Sequence, residues 1–333
     1  MAEIRIVTPA RVGNRGGNRQ TAVRWARLLR AAGHRVAVST QWEGERCDVL
    51  LALHARRSHG SIAQFRSANP EGALVVVLTG TDLYRDLAVS AEARRSLALA
   101  TRLVVLQDEG KRALKRRYRP RTHVIYQSAP EGARRAPPAR RFRVAVVGHL
   151  REEKDPFRAV EALAHLAGRA GIEVVQVGEA LSAEMARAAR AYAAREPRYR
   201  WVGSVPHARA LAWIARSHLL VVSSAMEGGA NVIAEAARIG TPVLASRISG
   251  NVGMLGRDYP GYFRFGDSAA LARLIQRAAD EPAFYARLAR AVRARRKLFT
   301  PRAEQHALVA LVRDALRAAR AQVASRAKRD LVS

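Results

Sequence analysis

Short apolar runs recur along the chain, each followed by a few polar residues and then a stretch of helical periodicity. A first series occupies residues 4–8, 35–40, 49–53, 74–78, 103–106 and 123–128. A second occupies residues 142–147, 173–177, 199–202, 219–222 and 242–245. The runs are too short for helices, and many are apolar almost throughout, as strands buried on both faces are. With helical segments between them, they predict parallel sheets covered by helices on both sides. Such sheets bind ligands beyond the carboxyl ends of their strands. The polar residues after each run are therefore the places to look for function.

The two series are separated by residues 131–141, which hold Pro137-Pro138 and four arginines and read as a linker. The expected division is a first domain over 1–130, the linker over 131–141, a second domain over 142–300 and a closing helical segment over 301–333, set off by Pro301. A chain of 333 residues that is 49% apolar can fill two domains of ordinary size. No apolar run reaches the length of a membrane span, and the N-terminus enters a strand without a signal-peptide pattern, so a cytoplasmic location is expected. Cys47 is the sole cysteine, which excludes an intrachain disulfide and a cysteine metal cluster. The net charge is +30, and only five of the 58 basic residues are lysine. The arginines are spread over many helices rather than gathered in one arm. This reads as a generally basic surface rather than a dedicated nucleic-acid face.

The most specific strand end follows the run 219–222. Ser223-Ser224-Ala225-Met226-Glu227-Gly228-Gly229-Ala230-Asn231 reads as a tight turn, and a helical pattern then runs to residue 239. Gly228 and Gly229 let the backbone approach a ligand closely. The amides at Ala230 and Asn231 open the helix with its positive dipole end, which suits a diphosphate. Glu227 lies in the turn and Glu235 about two helical turns on. Carboxylates so placed can accept hydrogen bonds from the vicinal hydroxyls of a sugar. Either glutamate alone reads as a solvated side chain, whereas the pair across a Gly-Gly turn is more specific.

This segment resembles the motif of two glutamates separated by seven residues found in retaining glycosyltransferases of the GT-B fold. The resemblance continues through residues 236–245. It implies an α/β chain of two Rossmann-like domains, their parallel sheets facing across a cleft, with a final helix that crosses back to the first domain. Gly148-His149-Leu150-Arg151-Glu152-Glu153-Lys154 is similar to the phosphate loop of that fold. Lys154 falls on the lysine that neutralises the diphosphate. His149 stands in place of an arginine, and Arg151 is a candidate to supply the missing charge. Gly203, within 201–206, resembles the loop that holds the nucleotide base. Many relatives place a histidine before Gly-x-Asp in the first domain. Here Thr79 precedes Gly80-Thr81-Asp82, so a hydroxyl contact remains and a histidine role is lost. His54, His207, His218 and His306 read as structural.

Further segments are similar to the selenosugar synthase (SenB) family of selenoneine biosynthesis. They are residues 17–26, 33–36, 53–58, 78–86, 103–107 and 124–128. That resemblance implies an enzyme that joins selenophosphate to the sugar of a UDP-sugar, typically UDP-N-acetylglucosamine, forming a carbon–selenium bond and releasing UDP and phosphate. It implies catalytic roles for Lys154, Arg151 and Glu227. The UDP-sugar would be held by His149, Gly203, Gly228, Gly229, Ala230, Asn231 and Glu235. The acceptor would be held by Arg15, Gly16, Gly17, Asn18 and Arg19, in a glycine-rich basic loop after the first strand, with Arg56, Thr79, Thr81 and Asp82. No cofactor and no metal is expected beyond the donor itself. Two other readings fit the residues. One is a glycosyltransferase with a hydroxyl acceptor. The other is a non-catalytic basic protein that binds nucleic acid or a membrane surface.

Overall fold

The computed structural model describes residues 1–10 and 17–330, with side chains to residue 324. Of the expected acceptor loop, Arg15 and Gly16 lie outside the described residues. The chain divides into two compact units. The first runs to Gln127 and resumes at Pro301, and the second is Ser128–Thr300.

The first unit is built on a parallel six-stranded sheet. Its strands are β1 (Glu3–Val7), β2 (Arg35–Ser39), β3 (Val49–Leu53), β4 (Ala73–Leu78), β5 (Arg102–Val105) and β6 (Thr122–Val124), in the order β2-β1-β3-β4-β5-β6. Every residue of β3 and β4 is buried, which is why these strands read as unbroken apolar runs. Trp25, Leu29, Val49, Leu51 and Val75 belong to one apolar layer, and Phe65, Ile62, Leu50, Leu74 and Leu97 to a second. β6 is shorter than the sequence implied, and Gln127 beyond it donates a hydrogen bond to Thr21 Oγ1. Gly17, Asn18 and Arg19 form the first turn of the helix Gly17–Ala31 rather than a loop. Residues 82–86 make a π-helix, an element with no sequence signature.

The helix Pro301–Asp330 packs on this unit. Leu308, Leu311, Val312, Ala315 and Ala319 recur at helical spacing and enter the first layer. Two carboxylates fasten it. Glu304 is buried and accepts from Trp25 Nε1 at 2.7 Å and from Arg24 Nε at 3.0 Å. Asp314 accepts from Arg102 Nε at 2.5 Å and lies 2.8 Å from His123 Nε2. The Arg102 hydrogen bonds hold the Asp314 carboxyl down, to about 2 from an ordinary 3.8. A depressed carboxyl stabilises the fold above its unfolded pKa, and that stabilisation fades as pH falls toward the folded value. Asp314 is partly exposed, so Asp314→Asn is expected to cost only about 1 kcal/mol at neutral pH. Urea titrations should show the difference from wild type in full above pH 4 and vanishing toward pH 2. A difference that does not change over this range would remove the ion pair from the account.

The second unit repeats the architecture. Its strands are β7 (Phe142–Val147), β8 (Ile172–Val177), β9 (Tyr199–Gly203), β10 (Leu219–Val222), β11 (Val243–Ser246) and β12 (Tyr262–Phe263), in the order β12-β11-β10-β7-β8-β9, again parallel. β12 is absent from the sequence reading because two residues carry no alternation. Residues 131–141 form no helix or strand, but they are fastened to this unit. The Arg134 guanidinium donates to the carbonyls of Ala215 and Ser217 and to Thr241 Oγ1.

In each sheet the strand order reverses once. In the first, β2 lies to one side of β1 and β3 to the other. In the second, β8 and β10 flank β7. Loops leaving neighbouring strands on opposite sides of such a point diverge, which opens a crevice for ligands. The fold thus places one candidate position at the carboxyl ends of β1 and β3, and another at those of β7 and β10.

Candidate functional site

The β7/β10 position gathers the expected donor residues. After β7, Gly148 adopts a positive φ of 154°, and the chain makes a short 3₁₀ turn over Glu152–Lys154. After β10, residues 223–230 lead to the helix Asn231–Ile239. The loops are tied by main chain and side chain: the Ala225 amide donates to the Glu153 carbonyl at 2.9 Å, and Ser223 Oγ to the Asp155 carbonyl at 2.7 Å. Lys154 and Glu227 come together across this tie, with Nζ 2.5 Å from Oε1. They line one pocket with Gly148, His149, Gln176, Ser223, Ser224 and Val232.

Glu227 is 6% exposed. Ser224 Oγ donates to the same Oε1 at 2.6 Å. Ser224 is braced in turn, because Ser246 Oγ donates to its carbonyl at 2.6 Å and Asn251 Nδ2 donates to Ser246. Burying a carboxylate is costly unless it is paired and hydrogen-bonded, and both conditions are met here. An ammonium carries three donors, so a lysine bonded to one carboxylate oxygen keeps others for a ligand anion. The pair can therefore offer a cation to a diphosphate and a carboxylate to hydroxyls side by side.

Glu235 is separate from that pocket lining. Its Oε1 lies 2.8 Å from Nε2 of His207, the first residue of the helix His207–Ala215. The His207 side chain is well exposed and Glu235 is largely covered. His207, which read as structural in the sequence, is thus the side-chain partner of Glu235. Gly203 ends β9 at a positive φ of 76° and accepts from the Gly178 amide. Gly228 and Ala230 are buried, and Gly229 and Asn231 are partly exposed at the helix start. Arg151 opens the same short turn, its carbonyl accepting from the Lys154 amide at 3.0 Å, and its exposed side chain makes no ion pair among the described residues. Gln176 had no sequence signal as a site residue. It is a buried amide on β8, and its Oε1 has no hydrogen-bond partner among the described residues.

In the first unit the expected acceptor residues Arg56, Thr79 and Thr81 stand on the loops after β3 and β4. Asp82, also an expected acceptor residue, sits inside these loops. It is fully buried, with Oδ1 accepting from the amides of Thr79, Gly80 and Leu83 and Oδ2 from that of Ala55. These backbone hydrogen bonds tie the two loops together. Among the described residues no three His, Cys, Asp or Glu side chains gather as a metal site, and no helix is long and apolar enough to cross a membrane.

Solved structures share this architecture over nearly their whole length. A sucrose-phosphate synthase from Thermosynechococcus elongatus superposes with a TM-score of 0.78 at 20% identity, covering 96% of this chain and 100% of its own. Anabaena HepE, solved in complex with UDP-glucose, superposes with a TM-score of 0.74 at 17% identity, covering 93% and 98%. A glycosyltransferase from Rickettsia africae gives 0.71 at 14% identity, covering 94% and 98%. No curated protein matches the chain by sequence. These likenesses establish the GT-B fold. The family model of glycosyl transferases group 1 matches residues 132–295. That match spans nearly the whole of the second unit, in a chain of GT-B fold.

Proposed function

We propose that the chain transfers the sugar of a UDP-sugar, and that selenophosphate is the acceptor. The observation that carries the first half is the Lys154–Glu227 pair at the strand reversal of the second unit, which the group 1 model matches. Charge grows on the diphosphate as the bond from sugar C1 to the leaving oxygen breaks. Lys154 and the amides near Gly228 and Gly229 stabilise it there. Glu227 accepts from sugar hydroxyls, and Glu235 accepts from the ribose. UDP as the nucleotide is supported by HepE, which was solved with UDP-glucose. The acceptor rests on the resemblance of the first unit to selenosugar synthases. Selenium bonds to C1 as UDP leaves, and water cleaves the selenium–phosphorus bond to release phosphate. UDP-N-acetylglucosamine is the donor that resemblance favours.

Glu235→Ala is expected to weaken UDP binding about ten- to a hundredfold, since hydrogen bonds to a charged acceptor are worth roughly 1.5–3 kcal/mol. Calorimetry on the folded variant measures it, and unchanged affinity would take Glu235 out of the nucleotide site. The function itself is tested by UDP release from UDP-N-acetylglucosamine with and without selenophosphate. Release that depends on selenophosphate supports the proposal. Release that instead requires a sugar or lipid hydroxyl would replace it with an ordinary glycosyl transfer.

A further inference from the structure

The loops leaving the carboxyl ends of β3 and β4 in the first unit carry a polar cluster that the donor chemistry does not use. β3 runs into His54, which is 2% exposed and holds a φ of 73°. Non-glycine residues seldom adopt that conformation, and where they do the surrounding structure imposes it. The π-helix 82–86 faces it from β4, and such elements concentrate at functional sites.

The hydrogen bonds fix the state of the ring. The Arg57 amide points at Nδ1, at 3.3 Å. Nδ1 is therefore the acceptor, and the proton of a neutral ring resides on Nε2. Nε2 lies 3.0 Å from Thr81 Oγ1 and 3.9 Å from Asp86 Oδ2, so its hydrogen bond goes to the threonine. Burial, the largest effect, lowers the His54 pKa and keeps the ring neutral near pH 7. With an oxygen lone pair taken by His54, the Thr81 hydroxyl has its own proton to give to a ligand. Arg56 stands beside it. Its Nε sits 3.0 Å from the buried Asp86 carboxylate, and its side chain is 41% exposed. Its terminal amino groups make no hydrogen bond among the described residues.

We infer that Thr81 and Arg56 form a binding site for a small phosphate-type oxyanion, with His54 as the positioning residue that turns the Thr81 hydroxyl toward it and Asp86 holding Arg56. A guanidinium fork and a hydroxyl donor match the acceptors of a phosphoryl group. This deepens the acceptor half of the proposed function, since selenophosphate presents such a group, but it can be tested apart from turnover.

The probe is inorganic phosphate, titrated into the full chain in the presence of saturating UDP. Thr81→Val keeps the side-chain shape and removes the hydroxyl. It is expected to weaken phosphate binding about tenfold or more, while Thr81→Ser retains it. His54→Asn tolerates the backbone but is too short to reach Thr81. It should weaken binding comparably, and the His54/Thr81 double variant should bind no worse than Thr81→Val alone. Melting temperature and UDP affinity near wild type confirm that each variant is folded. If His54→Asn fails to fold, Thr81→Val and Arg56→Gln still decide the site. Phosphate binding unaffected by Thr81→Val and Arg56→Gln overturns the inference, as does a wild-type chain that binds no phosphate. Threonine-dependent phosphate binding without any UDP-sugar turnover would uphold the site and contradict the proposed function.

Discussion

Lys154→Ala is expected to lower kcat by on the order of a hundredfold, with a smaller rise in KM for the UDP-sugar. Removing one preorganised donor from a developing oxyanion typically costs that much. The asymmetry follows from the chemistry. The diphosphate is already charged in the ground state, but it gains charge at the bridging oxygen only as the sugar departs. A group that senses the difference appears in kcat. The side chain is held for this by Glu227 Oε1 at 2.5 Å. Glu227 keeps its Ser224 hydrogen bond in the variant, so the pocket retains a partner for the carboxylate. Steady-state kinetics with the donor varied, on protein of wild-type melting temperature, provides the check. A variant with normal kcat and raised KM would confine the lysine to ground-state binding.

Gly250→Ala is the second large effect. Gly250 lies in the helix Ser249–Leu255, and its place against the Glu227 backbone leaves no room for a side chain. A Cβ there would sit 2.0 Å from the Glu227 carbonyl oxygen and 2.7 Å from Glu227 Cβ. Neither contact is survivable without movement, and the obstructing atoms are the backbone and Cβ of Glu227 rather than a flexible side-chain end. Either the helix retreats or the Glu227 turn is pushed away from Lys154. Overpacking of this kind costs about 1–3 kcal/mol. Displacing the Glu227 turn by an ångström is expected to lower turnover on the order of a hundredfold if the proposed function holds. Thermal melting and kinetics measured together separate the two routes. A Gly250→Ala protein with wild-type stability and wild-type turnover would show that the Glu227 turn is not positioned as described.

The two sheets were legible because parallel strands must be apolar on both faces. Val49–Leu53 and Ala73–Leu78 could be read directly, being buried at every position. β12 was not, since Tyr262–Phe263 is too short to show a period. The π-helix at 82–86 depends on hydrogen-bond register, which side-chain identity does not encode. The glutamates at 227 and 235 were legible because they share one local turn and helix. Their side-chain pairings were not, although Lys154 stood out in its own loop. Lys154 is 73 residues from Glu227, and His207 is 28 from Glu235. Those meetings are set by strand order, not by spacing. Asp82 shows the same limit. It occupies the expected sequence position, but the backbone amides from which its carboxylate accepts are visible only in the fold.

The central claim is that a UDP-sugar loses its sugar to selenium on this chain. Mass analysis of the products from UDP-N-acetylglucosamine and selenophosphate tests it most directly. The account predicts UDP, phosphate and a sugar species bearing the selenium isotope pattern, all dependent on the enzyme. UDP released with only oxygen on the sugar, or no UDP at all across a panel of UDP-sugars, would contradict it.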